Sequence, residues 1–242
     1  MDLKTWMLTK SKKFWILSNL GKHFRRCLFC GQPEVDDFFC LECRKYLPAL
    51  ARGWCPLCGQ PYTLPCFHLC AECQSVLPPW SKFGFGCYLT GTFQEIVYAY
   101  KFREKLAYLD FFVSLLENGF YRHKLTRPDI ILPIPLSKGG LRKRGFNQTL
   151  ELAKGLQAKI GGKVLTLGLR KIRENLPQRT LRKKERFLNV QGVFALKADL
   201  REKKVLLLDD IYTTGATLRE VGKVLQIQGV KEIEVLVLAR SC

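Results

Sequence analysis

The sequence predicts an α/β protein, with a mostly parallel, helix-covered sheet preceded by a small cysteine-rich, metal-binding segment. Three observations predict it. Val205-Leu206-Leu207-Leu208 is too short an apolar run for an ordinary helix and reads as a fully buried strand. Asp209-Asp210 follows, then a loop of small hydroxyl residues around Gly215. Leu218, Val221, Val224 and Leu225 then recur at helical spacing, with Gly229 as a C-terminal cap. Secondly, strand and helix patterns alternate over residues 80–242, as they do where crossover helices join parallel strands. Thirdly, nine of the eleven cysteines fall within residues 27–73, mostly in C-x-x-C pairs.

A chain of 242 residues with 47% apolar content can bury one or two cores. No run approaches the roughly 18–20 apolar residues a membrane span needs. The basic start carries a short apolar piece, Phe14-Trp15-Ile16-Leu17, with no small-residue cleavage site after it, so a cytoplasmic protein is expected. The net charge of +19 is uneven. Residues 1–26 carry seven Lys/Arg against one acid, 27–80 three against five, and 81–242 thirty against fifteen. That balance favours polyanions such as nucleic acid or phosphorylated substrates.

Three regions follow from composition. Residues 1–26 form a basic tail with Trp6, Phe14, Trp15 and Leu20, either an amphipathic surface helix or a packed extension. Residues 27–79 hold Cys27-x2-Cys30 with Cys40-x2-Cys43, then Cys55-x2-Cys58 with Cys70-x2-Cys73. Each C-x-x-C turns two thiolates toward one ion, Gly31 and Gly59 ease the turn, and two such knuckles close a tetrahedral site. The repeat reads as a double zinc ribbon with one or two structural Zn²⁺, in place of a core that so short a segment cannot build. Cys66 and His68 are spare candidates for the second site. Without a signal peptide, the pattern indicates metal binding in a reducing compartment rather than disulfides.

The third region, 80–242, begins after the Pro78-Pro79 hinge. Phe83–Leu89 reads as a strand, Thr92–Lys105 and Leu106–Tyr121 as helices, and Asp129–Pro135 as a buried strand that prolines terminate. A basic, glycine-containing loop follows, then a helix to about Ile160, a strand near Val164–Leu167, the basic stretch 170–186, the unit around residue 209, and a final buried strand Ile233–Ala239.

Two loops carry the chemistry. Backbone N–H groups near Gly215 and at the start of its helix form an anion site, to which Thr213, Thr214 and Thr217 add hydroxyl donors. Asp209 and Asp210 would repel a phosphate, so they suit a sugar diol or Mg²⁺ through water. A phosphate site one turn from a diol site describes a ribose 5-phosphate. The loop after Pro135 has Gly139-Gly140 for close approach. Lys138, Arg142, Lys143 and Arg144 there either neutralise a diphosphate or form a solvated basic surface.

The stretch Val205–Leu218 closely resembles the 5-phosphoribosyl 1-pyrophosphate (PRPP) signature of type I phosphoribosyltransferases. By that resemblance Asp209 and Asp210 take the ribose hydroxyls as the catalytic pair, and Thr213, Thr214, Gly215, Ala216 and Thr217 wrap the 5-phosphate. Leu136, Ser137 and Lys138 join the PRPP site, and Mg²⁺ comes with the ligand. Together with Pro133-Ile134-Pro135-Leu136, Arg144-Gly145-Phe146-Asn147-Gln148, Gln178-Arg179-Thr180-Leu181 and the double C-x-x-C region, the chain resembles the ComF family over about residues 27 to 240. The resemblance implies a type I phosphoribosyltransferase fold with a zinc ribbon, PRPP binding, and a role in DNA uptake during natural transformation. It also implies single-stranded DNA handling beside a helicase-like competence ATPase. Purine phosphoribosyltransferases usually carry an acid where this chain has Thr213, which argues against a purine acceptor.

Residues 170–186 hold eight Lys/Arg and two acids. Arg179, Arg182, Lys183, Lys184 and Arg186, with Arg142, Lys143 and Arg144, are the candidate nucleic-acid contacts. Two functions are expected: a phosphoribosyltransferase with an unassigned acceptor, or a non-catalytic DNA-binding adaptor that keeps the fold as a scaffold.

Overall fold

The computed structural model describes residues 26–33, 38–102, 108–136, 138–173 and 183–241. The basic tail, apart from Arg26, lies outside them, as do Ser137, Arg179 and Arg182. The chain forms two compact units, one up to Leu47 and one from Pro48 onward. The smaller unit contains helix α1 (Leu41–Arg44). The larger contains, in order, β1 (Gly53–Trp54), β2 (Pro61–Tyr62), α2 (Ala71–Ser75), β3 (Lys82–Tyr88), α3 (Gly91–Phe102) and α4 (Leu109–Arg122). Next come β4 (Ile130–Pro133), α5 (Lys138–Arg144), α6 (Gln148–Ile160), β5 (Lys163–Val164), β6 (Leu169–Lys171) and α7 (Lys183–Val190). β7 (Phe194–Leu196), β8 (Lys204–Tyr212), α8 (Ala216–Ile227) and β9 (Glu232–Arg240) complete it.

Five strands make one sheet in the order β3-β9-β8-β4-β5, every pair parallel. The central strand β8 is buried on both faces from Val205 to Leu208, as its continuous apolar run requires. Pleating divides its side chains. Val205 and Leu207 join Val235, Val237, Phe83 and Phe85 in a core that receives Leu218, Val221 and Leu225 of α8. The opposite face is covered by α4, and glycines set the distance. A Cβ on Gly119 would stand 2.6 Å from the Phe85 carbonyl oxygen, so helix and strand approach backbone to backbone. Helices therefore cover both faces.

The cysteine region divides differently from the 27–79 grouping that spacing suggests. The boundary between compact units falls at Leu47–Pro48, because Cys55, Cys58 and Cys73 pack into the same core as Trp80, Phe83 and Phe85. Three further local differences emerge. The basic glycine loop contains a helix, α5, which the Gly139-Gly140 pair concealed. The strand expected over Val164–Leu167 is the two-residue β5, and a small antiparallel pair, β6 with β7, brings residue 171 opposite residue 194. Residues 170 and 171 of the basic stretch thus lie in a strand, and residues from 183 onward in α7.

At the end of α4, His123 is wedged between Phe85 and Trp54, at ring distances of 4.5 and 5.1 Å. Burial, then the neighbouring Arg122 charge, lowers its pKa to about 4 from 6.5. The unfolded chain takes up this proton near pH 6.5 and the folded chain only near 4, so stability falls as pH drops through that window. His123→Phe is expected to remove that part of the acid sensitivity, read as a flatter dependence of thermal midpoint on pH between 6.5 and 4.

Candidate functional site

The carboxyl ends of β4 and β8 lie side by side, which brings the two loops singled out by sequence to one end of the sheet. The β4 pairing with β8 runs to Pro133 opposite Leu208; the Ile134 N–H adds one more bond, to the Leu208 carbonyl at 2.9 Å, and Pro135 then offers no donor. β8 does not leave the core at Leu208 as its apolar run suggested. It continues to Tyr212, because β9 goes on pairing with it: Asp209 with Val237, Ile211 with Ala239, and Tyr212 with Arg240. Asp209 and Asp210 thus stand on a strand, half-buried, beyond the point where β4 stops. Asp209 Oδ1 accepts the Asp210 backbone N–H at 2.8 Å. The fully buried Tyr100 on α3 has its pKa raised by burial, then by the charges of Glu151 and Asp210.

The second half of the site is a sharp turn into α8. Thr213 is exposed, Thr214 and Thr217 are half-buried, and Gly215 adopts φ 72°, the left-handed conformation that favours glycine. The Thr214 hydroxyl oxygen accepts the Ala216 N–H at 3.5 Å, and the Arg219 N–H reaches the Gly215 carbonyl at 2.8 Å. No acid occupies the first turn of α8, so the positive end of its dipole is not offset there.

On the β4 side, Leu136 is half-buried and leads toward α5. Gly145 (φ 74°) closes α5, with its N–H on the Leu141 carbonyl at 2.8 Å. Asn147 caps α6 by accepting the Thr149 N–H at 3.2 Å. The Gly145–Gln148 stretch is therefore a helix-to-helix corner, with Phe146 against Tyr100 at 6.1 Å and Gln148 fully buried. Arg142 is exposed on α5. The side chains of Lys138, Lys143, Arg144, Lys183, Lys184 and Arg186 lie outside the described residues, like Ser137, Arg179 and Arg182.

The cysteines form two quartets, Cys27/Cys30/Cys40/Cys43 and Cys55/Cys58/Cys70/Cys73, each with its sulfurs within 4.8 Å of one another. Zinc–sulfur bonds of about 2.3 Å in a tetrahedron set sulfurs about 3.8 Å apart. The Cys30–Cys40 and Cys58–Cys70 sulfurs stand at 3.8 and 3.5 Å, which fits that geometry. The two knuckles repeat one another: Cys27 N–H bonds the Gln32 carbonyl at 2.8 Å and Cys55 N–H the Gln60 carbonyl at 2.9 Å. Gly31 and Gly59 take positive φ, and Cys40 and Cys70 stand at the N-caps of α1 and α2. Thiols so close cannot all ionise without a cation. Hydrogen bonds from Cys58 and Cys73 hold Cys55 far below the ordinary thiol range, and the same sharing with Cys55 and Cys58 pushes Cys73 far above it. Cys66 and His68 stand outside the second group. His68 stacks on Tyr62 at 4.5 Å, and its Nδ1 lies 3.0 Å from the Leu69 carbonyl.

Residues 140–241 match the phosphoribosyl transferase domain family. Competence protein F of Haemophilus influenzae is 28% identical over 226 residues, 89% of this chain and 97% of that protein. Competence protein ComFC of Bacillus subtilis is 29% identical over 213 residues, 84% of this chain and 83% of its own. The DNA utilization protein YhgH of Salmonella typhimurium is 28% identical over 221 residues, 89% and 96%. These matches extend well beyond the domain. Over most of its length the chain is similar to these competence proteins.

Several residues at the site had no sequence signal. Tyr212 follows the acids, and its ring fills the space a Gly215 side chain would need. Arg240, only 7% exposed, lies 5.1 Å from that ring. Reading the final strand as ending at Ala239 left Arg240 out. Among the described residues no helix is long and apolar enough to cross a membrane.

Proposed function

We propose that the carboxyl end of β4 and β8 binds PRPP, and that the chain acts in DNA uptake as a phosphoribosyltransferase-like member of the ComF family. The observation that carries this is the sequence of groups along one strand and its turn. Two carboxylates stand on β8 past the end of β4, followed by a left-handed Gly215 and a helix start without acids. Asp209 and Asp210 accept the ribose hydroxyls. Thr213, Thr214, Thr217 and the backbone of Gly215 and Ala216 hold the 5-phosphate, and Leu136, Ser137 and Lys138 face the diphosphate. Mg²⁺ bound with PRPP would supply charge neutralisation at the diphosphate, and Asp209 and Asp210 would hold the ribose while an acceptor displaces diphosphate from C1. The quartets would hold Zn²⁺ through their four thiolates each, a ligand set that suits a structural metal.

The names of the competence relatives support the uptake role, and the +15 balance of residues 81–242 (thirty Lys/Arg less fifteen acids) supports contact with a polyanion such as single-stranded DNA. Arg142, Lys143, Arg144, Arg179, Arg182, Lys183, Lys184 and Arg186 are its proposed contacts, and a helicase-like competence ATPase is the proposed protein partner.

Calorimetry with PRPP and Mg²⁺ tests the reading. Wild type is expected to bind. Asp209→Asn with Asp210→Asn keeps the size of each side chain and the acceptor for the Asp210 N–H, yet removes both charges. Affinity is expected to fall at least about tenfold, or about 1.4 kcal/mol. A folded, metal-loaded wild type that binds no PRPP overturns the reading and leaves the adaptor function.

A further inference from the structure

The backbone between Cys55 and Gln60 braces the 213–217 turn from two sides. On one side the Cys58 carbonyl accepts Arg240 Nε at 2.7 Å, and a second nitrogen of that guanidinium reaches Gln60 Oε1 at 3.0 Å. Arg240 also lies over the Tyr212 ring at 5.1 Å, and that ring closes the space beside Gly215. On the other side the Leu57 carbonyl accepts Trp80 Nε1–H at 2.9 Å. Arg219 lies 5.8 Å from the Trp80 ring, bonds the Val76 carbonyl at 3.0 Å, and donates its backbone N–H to the Gly215 carbonyl at 2.8 Å. Both carbonyls belong to one C-x-x-C knuckle, and both braces end on Gly215.

We propose that the second cysteine quartet, when it holds its metal, positions the 213–217 turn, with Arg240 and Trp80 as the positioning residues that carry the knuckle's geometry to it. Closure of Cys55, Cys58, Cys70 and Cys73 on one ion sets where the Leu57 and Cys58 carbonyls stand. Arg240 is buried, so its Nε must keep the Cys58 carbonyl or lose a hydrogen bond inside the core. A displaced knuckle therefore moves Arg240 with it, and Tyr212 with Arg240. Coupling between two sites is reciprocal: a ligand ordering the turn must tighten the hold on the metal by the same factor. The ligand side of this inference rests on the PRPP reading, whereas the mechanical coupling does not.

The test uses the full-length, metal-loaded chain as wild type, Arg240→Met and Trp80→Phe, with metal content and β8 protection measured for each. Hydrogen exchange of the amides of residues 213–219 is the ligand-free readout. Both variants are expected to exchange there at least about tenfold faster than wild type, with β4 and the first half of β8 unchanged. Arg240→Lys, which keeps one donor for the Cys58 carbonyl, is expected to fall between. The second readout is metal loss to a chelator, expected to be slowed by PRPP in wild type and not in Arg240→Met. Loop exchange at the wild-type rate in both loaded variants overturns the proposal. Faster loop exchange in the variants, with no effect of PRPP on wild type, upholds the coupling and removes the PRPP reading instead. If a variant fails to fold, wild type is titrated with chelator: residues 213–219 should lose protection before β4, and simultaneous loss overturns the coupling.

Discussion

Replacing Cys55 and Cys73 by serine is expected to abolish cooperative folding of the larger unit. Both side chains are fully buried and share a core with Trp80, Phe83, Phe85 and Tyr212. Structural zinc contributes about 10–16 kcal/mol to the folding of zinc-finger peptides. Net stabilities of whole domains are about 5–15 kcal/mol, so loss of the ion at this position exceeds what remains. Two serine hydroxyls would also be left in an apolar core. The same change at Cys27 and Cys43 would remove two of the proposed metal ligands from the smaller unit and is expected to leave the five-stranded sheet folded. Near-ultraviolet circular dichroism through a thermal ramp, with metal analysis of each variant, separates the two. Equal transitions in both double variants would refute the structural weight assigned to the second quartet.

Gly215→Ala is expected to cost stability and, beyond that, to remove PRPP binding. An alanine at φ 72° costs about 1–2 kcal/mol for the left-handed conformation alone. Its Cβ would also overlap the phenol of Tyr212, which β9, Phe83 and Arg240 hold in place. The start of α8 must then shift, and with it the amides proposed to hold the 5-phosphate. Gly229→Ala is the matched control. Its φ of 74° carries the same conformational cost, but the nearest atom to a new Cβ is Arg201 Cγ at 3.6 Å. A cost of about 1–2 kcal/mol in a unit of this size lowers the thermal midpoint by roughly 2–8 °C, and both variants should show it. Only Gly215→Ala should lose PRPP affinity in calorimetry. If both variants retain it equally, the 213–217 turn is not the phosphate site.

Much of this arrangement was legible because local pattern and tertiary environment agree. The Val205–Leu208 run has apolar neighbours on both faces, and each C-x-x-C with its glycine builds the same knuckle in both places. What escaped depends on partners distant in sequence. β8 runs on through two aspartates because β9 keeps pairing with it, and no property of Asp209-Asp210 announces that. β6 and β7 find one another across a long intervening segment without a turn signal. The glycines of α5 disguised a helix. Cysteine spacing grouped the second quartet, but did not indicate that it would be packed with Phe83 and Phe85; Trp80, which bonds the knuckle, was the available cue.

The order of strands also dictates when this molecule can assemble. Among the described residues β3 has β9 as its one sheet neighbour, and the contact beginning that pairing, Ser81 with Ile233, joins positions 152 residues apart. Closing so long a loop must precede any return from the contacts it permits, which slows folding and leaves hydrophobic edges open meanwhile. On the ribosome, the second knuckle and β3 emerge early and wait for residues 232–240 before their core exists. Early capture of the metal would keep that waiting segment compact, and the charge surplus would keep nascent chains apart.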